Sequence, residues 1–294
     1  MEDDDYFEWW YFHFIASQGY TISLVLHLTD LFVPITKPYV AMSIASPERQ
    51  SLHLRRYLSG DPRTLETDPL NLDFEKCFVR DTEEKIIFDI DFEGARFSAG
   101  IRKPSVQAVI SRVPLYSCAG ASHNWVVPIP CAQFEGKLEL HHNVLTIDGI
   151  AYHDHNWGNG RIERNVREWL WGHLVFDKGY LVFYDIVLLP ECLIRVSVLE
   201  IEGSQFTSSD FKLVKEVETK AFTEAPFPET LEVGVSRPLP FTVQIVPDCL
   251  FHSKRERCKD GLLLTYGRAT ATGVLTIWGT KRQARGVIER LLIE

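Results

Sequence analysis

No apolar run in this sequence reaches the roughly 18 residues that a membrane-spanning helix requires. The opening Met1-Glu2-Asp3-Asp4-Asp5 has neither the basic start nor the apolar stretch of a secretory signal. The six cysteines, at 77, 118, 131, 192, 249 and 258, include no C-x-x-C pair. Without a signal peptide they read as free, mostly buried thiols rather than a disulfide framework or a zinc site. A cytoplasmic protein is the expectation. A basic stripe is missing too: net charge is −9, which argues against a nucleic-acid partner. The densest basic cluster, Lys254-Arg255-Glu256-Arg257 beside Cys258-Lys259, is short and interrupted, and is read as a solvated loop. There is no P-loop, no G-x-G-x-x-G after a strand and no G-x-S-x-G elbow, so no cofactor is called for. No window carries a long amphipathic helix pattern, and only Asp210–Glu218 offers a short one.

Aromatic side chains and short strands fill the space these absences leave. Hydrophobic residues make up 45% and aromatics 12%, with 7 Trp and 18 Phe, a composition suited to β-sandwiches, barrels and apolar pockets. Thr21–Leu28, Lys85–Phe92, Gly136–Leu140, Tyr180–Leu188, Ile194–Ile201, Phe241–Val246 and Gly273–Ile277 are rich in β-branched or aromatic residues. Turn signals bound them at Ser17-Gln18-Gly19, Glu93-Gly94, Asp177-Lys178-Gly179 and Asp260-Gly261. The expected class is all-β, a sandwich or barrel.

An internal repeat divides the chain. Glu8-Trp9-Trp10-Tyr11-Phe12-His13 with Gly19-Tyr20 recurs as Glu168-Trp169-Leu170-Trp171-Gly172-His173 with Gly179-Tyr180. Gly136 and Gly149 are spaced like Gly273 and Gly286, and Leu-Thr-Ile stands at 145–147 and 275–277. Two equivalent antiparallel units follow, 1–160 and 161–294. Alternation along a strand puts Trp9, Tyr11 and His13 on one face, matched by Trp169, Trp171 and His173. The plain reading is that these residues open each barrel and pack its interior; the functional one is that such a face lines a ligand cavity.

Two segments carry more polar groups than a buried strand tolerates without partners. Tyr152-His153-Asp154-His155-Asn156-Trp157-Gly158 puts Tyr152, Asp154 and Asn156 on one side and His153, His155 and Trp157 on the other. Upstream, His123 and Trp125 share a face just before Val127-Pro128-Ile129-Pro130. The separation allows the two pairs to meet across adjacent strands. His153 and His155 have the H-x-H spacing of some metal sites, and His141-His142 lies nearby, but no well-placed carboxylate completes a set; packing is preferred and no metal is assigned. His141-His142-Asn143 reads as an exposed hairpin tip. A Cys–His nucleophile built from Cys118 or Cys131 with His123 has no activating context.

Taken in order, Glu8-Trp9-Trp10-Tyr11-Phe12, His123-x-Trp125 and Tyr152-x-Asp154-His155-x-Trp157-Gly158 resemble the hydroxyneurosporene synthase (carotenoid 1,2-hydratase)/AttH superfamily, which also includes lipocalin-like Diels–Alderases. The resemblance implies two tandem lipocalin-like β-domains around a hydrophobic cavity. It also implies catalytic roles for Tyr152, Asp154, His123 and Trp125. Trp10, Phe12, Asn156, Trp157 and Trp171 are the expected substrate-binding residues. The fuller His153-Asp154-His155-Asn156-Trp157 string and the shorter chain depart from the hydratases.

Protonating a carbon–carbon double bond needs a strong acid in a dry place. A carboxyl group buried among aromatics can stay protonated near neutral pH, which suits Asp154 as donor and later base. Trp125 or Tyr152 would offer a π-face to the cation, and His123 would orient Asp154 or hold a water. The bland alternative is that Asp154 accepts structural hydrogen bonds. Three functions stand: acid–base hydration, dehydration or cyclisation of an isoprenoid or polyketide-type molecule; a pericyclase whose Tyr152, His123 or Asn156 polarises a carbonyl; and a carrier of a hydrophobic small molecule. Oligomeric state and the placing of the cavity within or between the units are not legible.

Overall fold

The computed structural model describes residues 6–28, 38–58, 66, 67, 70–74, 76–104, 110–118, 120–189, 192–220, 222, 227–258 and 261–294. The chain is all-β and divides into two compact units, one formed by residues 1–48 and 52–160, the other by 49–51 and 161–294.

In the first unit the strands are β1 (Tyr6–Ala16), β2 (Thr21–His27), β3 (Tyr39–Ala45), β4 (Ser51–Tyr57), β5 (Glu66–Thr67), β6 (Leu70–Phe74), β7 (Cys77–Asp81), β8 (Lys85–Phe92), β9 (Ala95–Arg102), β10 (Ile110–Cys118), β11 (Ala121–Leu140) and β12 (Asn143–Asn159). They form one antiparallel sheet in the order β4-β3-β2-β1-β12-β11-β9-β8-β7-β6-β5, with β10 also pairing β11. The second unit opens with a single helical turn, α1 (Ile162–Asn165). Its strands are β13 (Val166–Phe176), β14 (Gly179–Leu188), β15 (Cys192–Ile201), β16 (Ser204–Ser208), β17 (Phe211–Lys220), β18 (Pro228–Val235), β19 (Phe241–Arg257), β20 (Leu263–Ile277) and β21 (Thr280–Ile293). Their order is β16-β15-β14-β13-β21-β20-β19-β18-β17. The repeat is therefore structural: β1 lies between β2 and β12 as β13 lies between β14 and β21.

Two of the repeated glycines mark places where neighbouring backbones leave no room for a side chain. A β-carbon on Gly149 would collide with the Ile15 carbonyl of β1, and one on Gly286 with the His173 carbonyl of β13. The Leu-Thr-Ile echo has no such meaning, because Leu145–Ile147 lies on β12 and Leu275–Ile277 on β20, which are not equivalent strands.

Three further expectations are corrected. Asp210–Glu218 is not helical; Phe211–Lys220 is strand β17, pairing with β18 through Leu213 and Val233. The basic cluster at 254–257 is the end of β19, registered against Leu263–Tyr266 of β20, with Lys259 and Asp260 outside the described residues. Most consequential is the face that fills the barrel. The first core gathers Trp10, Phe12 and Phe14 with Phe88, Phe97 and Phe134, and the second gathers Leu170 and Leu174 with Phe183 and Ile288. Phe14 meets Phe97 and Phe134 edge-on at 4.7 and 5.1 Å, a preferred aromatic geometry. Trp9, Tyr11 and His13 point the other way, which leaves their face for other work.

Candidate active site

Alternation on β12 carries Tyr152, Asp154 and Asn156 onto the face of Trp9, Tyr11 and His13; the register pairs are Tyr152 with His13, Asp154 with Tyr11 and Asn156 with Trp9. On its other flank β12 pairs with β11, bringing Trp125 opposite Asn156 and His123 opposite Gly158. The loop-and-return expected from the sequence is this β11–β12 hairpin, with His141 and His142 as its turn. Between Val126 and Ala132 the register slips twice, opposite Asp154 and Tyr152. Pro128 and Pro130 lie in the two slipped steps. Proline cannot donate to a ladder and is tolerated at bulges, and bulges redirect the side chains beside them.

The result is a closed cluster around one carboxyl group. Asp154 Oδ2 accepts from Tyr152 Oη at 2.8 Å and from Trp125 Nε1 at 3.1 Å; Oδ1 accepts from Asn156 Nδ2 at 2.8 Å. Asp154 is 4% exposed, and Tyr152, His123 and Trp125 are at 0%, 0% and 1%. The four catalytic candidates thus meet, and Asn156 joins them as a bridge. Because its amide nitrogen is committed to Asp154, its oxygen accepts from His123 Nε2 at 2.9 Å. That fixes the neutral His123 tautomer with the proton on Nε2. Burial pushes the His123 pKa down to about 4, against the smaller opposing pull of the Asn156 bond. Its Nδ1 lone pair is buried and has no hydrogen-bond partner among the described residues. Phe7, Trp9 and Tyr116 enclose the ring at 5.4–5.6 Å.

The other residues expected to bind substrate lie elsewhere. Trp10 and Phe12 belong to the barrel core: Phe12 stacks on His153 at 4.0 Å, and Trp10 stacks on His155 at 4.7 Å. Trp157 lies on the same side, 4.6 Å from His155. Trp171 is on β13 of the second unit. The H-x-H pair is used for structure: His153 Nδ1 donates to the Tyr11 carbonyl at 3.1 Å and His155 Nε2 to Glu8 Oε1 at 2.8 Å. Burial pushes the His153 pKa down to about 3. The side chain of Cys118 lies outside the described residues. An open cavity of about 1160 Å³ in the first unit sits apart from Asp154, lined by Ile87, Phe88, Gly100, Arg102, Glu135 and Lys137.

The second unit supplies an internal comparison. Trp171 occupies the position of Tyr11, and its register partner on β21 is Glu289, as Asp154 is the partner of Tyr11. Glu289 Oε2 accepts from Arg268 Nη2 at 2.7 Å and from Tyr266 Oη. Here β20 and β21 pair without a bulge. A guanidinium thus meets the carboxylate of the second unit, where uncharged indole, phenol and amide donors meet that of the first. Sequence reasoning did not find Asn156 as a bridge or Tyr11 and His13 as neighbours; the strict alternation of β1 carried that signal.

Two tandem all-β units of this kind, with a buried Tyr-Asp-His-Trp cluster in the first, define a lipocalin-like class of protein. The chain belongs to the CrtC carotenoid hydratase family, whose model matches residues 64–217. Among solved structures, a putative AttH from Nitrosomonas europaea aligns at 16% identity with a TM-score of 0.72, over 99% of this chain and 93% of that one. Kievitone hydratase from Nectria haematococca aligns at 13% identity and a TM-score of 0.67, over 97% and 88%. CghA, solved with Sch210972, aligns at 14% and 0.69, over 98% and 89%. Two quinolone epoxide rearrangement proteins are similar over shorter stretches. The one from Emericella nidulans is 34% identical over 58 residues, 20% of this chain and 16% of that protein. The one from Penicillium thymicola is 28% identical over 89 residues, 30% and 22%. The match therefore spans less than a quarter of either relative.

Proposed function

We propose that this protein is a cofactor-independent enzyme that binds an apolar isoprenoid or polyketide-type molecule and performs acid–base hydration, dehydration or cyclisation at a carbon–carbon double bond. The observation that carries the reading is Asp154, a carboxyl group 4% exposed and gripped at both oxygens by Tyr152, Trp125 and Asn156. Such a grip fixes the group in one orientation, which is what directing a proton at a single carbon requires. Asp154 delivers the proton, the faces of Trp125, Tyr152 and Tyr11 stabilise the cation, and water or an internal nucleophile quenches it. His123 is neutral, and its Nδ1 is an acceptor for the hydroxyl or water that takes part. The hydratase and rearrangement names among the relatives agree with this general kind of chemistry.

A pericyclase would need Tyr152, His123 or Asn156 to donate to a substrate carbonyl. Tyr152 and Asn156 donate to Asp154 instead, and His123 donates to Asn156, which supports the acid–base reading. The test is turnover of polyene, isoprenoid and linear polyketide compounds in deuterated water, followed by mass spectrometry with wild type and Asp154→Asn. The expected product carries carbon-bound deuterium and is absent with the variant. A deuterium-free isomer of unchanged mass, formed by both proteins, would favour the pericyclase; equal binding with no product from any compound would favour a carrier.

A further inference from the structure

The face that carries Asp154 continues across the sheet away from β11. One register row on it runs from Trp125 on β11 through Asn156 on β12, Trp9 on β1 and His27 on β2 to Tyr39 on β3. In a neighbouring row Ser23 of β2 is registered with Ser43 of β3, whose Oγ shares a hydrogen bond with His53 Nδ1 at 2.8 Å. His53 of β4 therefore lies on this face, and strand alternation puts Arg55 and Tyr57 on it too. Their contacts agree. The Tyr57 ring meets Tyr39 at 5.8 Å, and the Arg55 guanidinium sits 4.6 Å over the centre of the Tyr39 ring.

Contacts join this row to the buried carboxyl group. Trp9 lies 5.5 Å from the ring of His123, which hydrogen-bonds Asn156, which in turn donates to Asp154. Outward, Trp9 meets His27 at 6.0 Å, and His27 stacks on Tyr39 at 4.5 Å and 24°. Asn156, Trp9 and Tyr39 are buried, His27 is partly exposed, and Arg55 and Tyr57 are exposed. The row is closed at the site and opens at β4. Four interstrand steps of about 4.8 Å separate Asn156 from Tyr57, roughly 19 Å along the sheet.

The fold itself does not ask for these groups. The equivalent row of the second unit, through Trp169, reads Leu291, Trp169, Ile186 and Ile194. Aliphatic side chains fill that sheet where the first unit sets Asn156, Trp9, His27 and Tyr39. Ring faces offer flat contact to a conjugated or apolar chain, and Arg55 adds a charge at the outer end. A guanidinium carries five N–H donors in a planar fork that matches a carboxylate, and they serve more than one acceptor at once. The Tyr39 ring beneath Arg55 favours its position by cation–π attraction.

We propose that Trp9, His27, Tyr39 and Tyr57 form the floor on which an elongated apolar substrate lies, with Arg55 holding an anionic group at its far end; this rests on the reading of the Asp154 site above. The substrate class is then a long apolar acid, its reacting carbon at Asp154 and its carboxylate at Arg55. A neutral hydrocarbon would make no use of that charge. Net charge is −9, so the protein as a whole repels an acid and a preference for one has to be local.

The probes are cis-parinaric acid, a straight conjugated polyene whose fluorescence rises as it leaves water, and its methyl ester. Wild type binds the acid about tenfold or more tighter than the ester, the effect expected of one charge-assisted pair. Arg55→Gln, a change at an exposed residue, weakens the acid alone and brings the two affinities together. Arg56→Gln, whose side chain lies over Phe92 on the opposite face, keeps the preference. In ¹³C-histidine-labelled protein the bound acid shows cross-relaxation by NMR to the His27 ring and none to His142 at the β11–β12 turn. The proposal is overturned if the acid binds no tighter than the ester, the case in which neither binds included. It is equally overturned if Arg55→Gln keeps the preference, or if the bound acid leaves the His27 ring untouched. Binding is read without turnover: deuterium incorporation with no acid preference removes this row alone. Acid preference with no incorporation removes the acid–base chemistry and leaves the row as a binding floor.

Discussion

Mild acid should loosen this protein, and two buried histidines contribute to the loss. His123 and His153 are buried, and burial lowers their pKa values from the ordinary 6.5 to about 4 and about 3. Between those values and 6.5 the unfolded chain binds a proton at each ring that the native protein excludes. Stability therefore rises with pH in this window: the contribution is whole above about pH 6.5 and is lost as pH falls toward the folded values. From pH 7 to pH 5 each ring contributes about 2 kcal/mol, and the pair about 4 kcal/mol, at 1.36 kcal/mol per pH unit for each proton. Most carboxylates titrate below this window and add little to it. The assay is chemical denaturation followed by tryptophan fluorescence at half-unit pH steps. His153→Phe retains the stack on Phe12 and removes one titrating ring, so the loss between pH 7 and pH 5 should shrink by that ring's share, about 2 kcal/mol. Stability that is flat between pH 7 and pH 5, or a slope that His153→Phe leaves unchanged, refutes the reasoning.

Trp125→Phe keeps most of the ring volume but removes the indole donor to Asp154, and should cost about 1–3 kcal/mol in a denaturant titration. Gly158→Ala places a methyl group against the Ser122 carbonyl of β11 and the Phe7 ring of β1. It should destabilise the first unit by more than the roughly 1 kcal/mol typical of point variants, and thermal unfolding measures this. In the second unit Arg268→Leu leaves the half-buried Glu289 without its guanidinium, and the expected loss is about 1–3 kcal/mol. The double variant Arg268→Leu with Glu289→Leu should recover most of that loss, as a double-mutant cycle would show.

Much of this organisation is legible in the residues. Lys85–Phe92 reads as a strand and is β8; Glu8–His13 and Glu168–His173 read as equivalent and are β1 and β13. His123, Trp125, Tyr152 and Asp154 were legible as a group because polar side chains at period two are conspicuous in a strand. What was not legible has physical reasons. Trp10 and Phe12 read as well for a cavity wall as for a core, since an aromatic run fits either side of a sheet; only Phe88, Phe97 and Phe134, distant in sequence, decide which side is inside. The Phe211–Lys220 pattern is too short to separate helix from strand without β18 beside it. The register row of Ser23 and Ser43 was invisible, because a serine in a strand carries no sign of which residue its register will place next to it.

His123, Trp125, Tyr152, Asp154 and Asn156 all lie on β11 and β12, two strands joined by the tight turn at His141 and His142. A centre written on one contiguous hairpin travels as a single cassette. Recombination that exchanged residues 122–159 between relatives would move the whole constellation while leaving most of the barrel wall to the recipient. Zippering from the turn would also assemble it in a fixed sequence, with Leu138 and Leu145 pairing long before His123 and Gly158. Chemistry can in this way diversify by trading hairpins, while the remaining strands go on solving only the problem of staying folded.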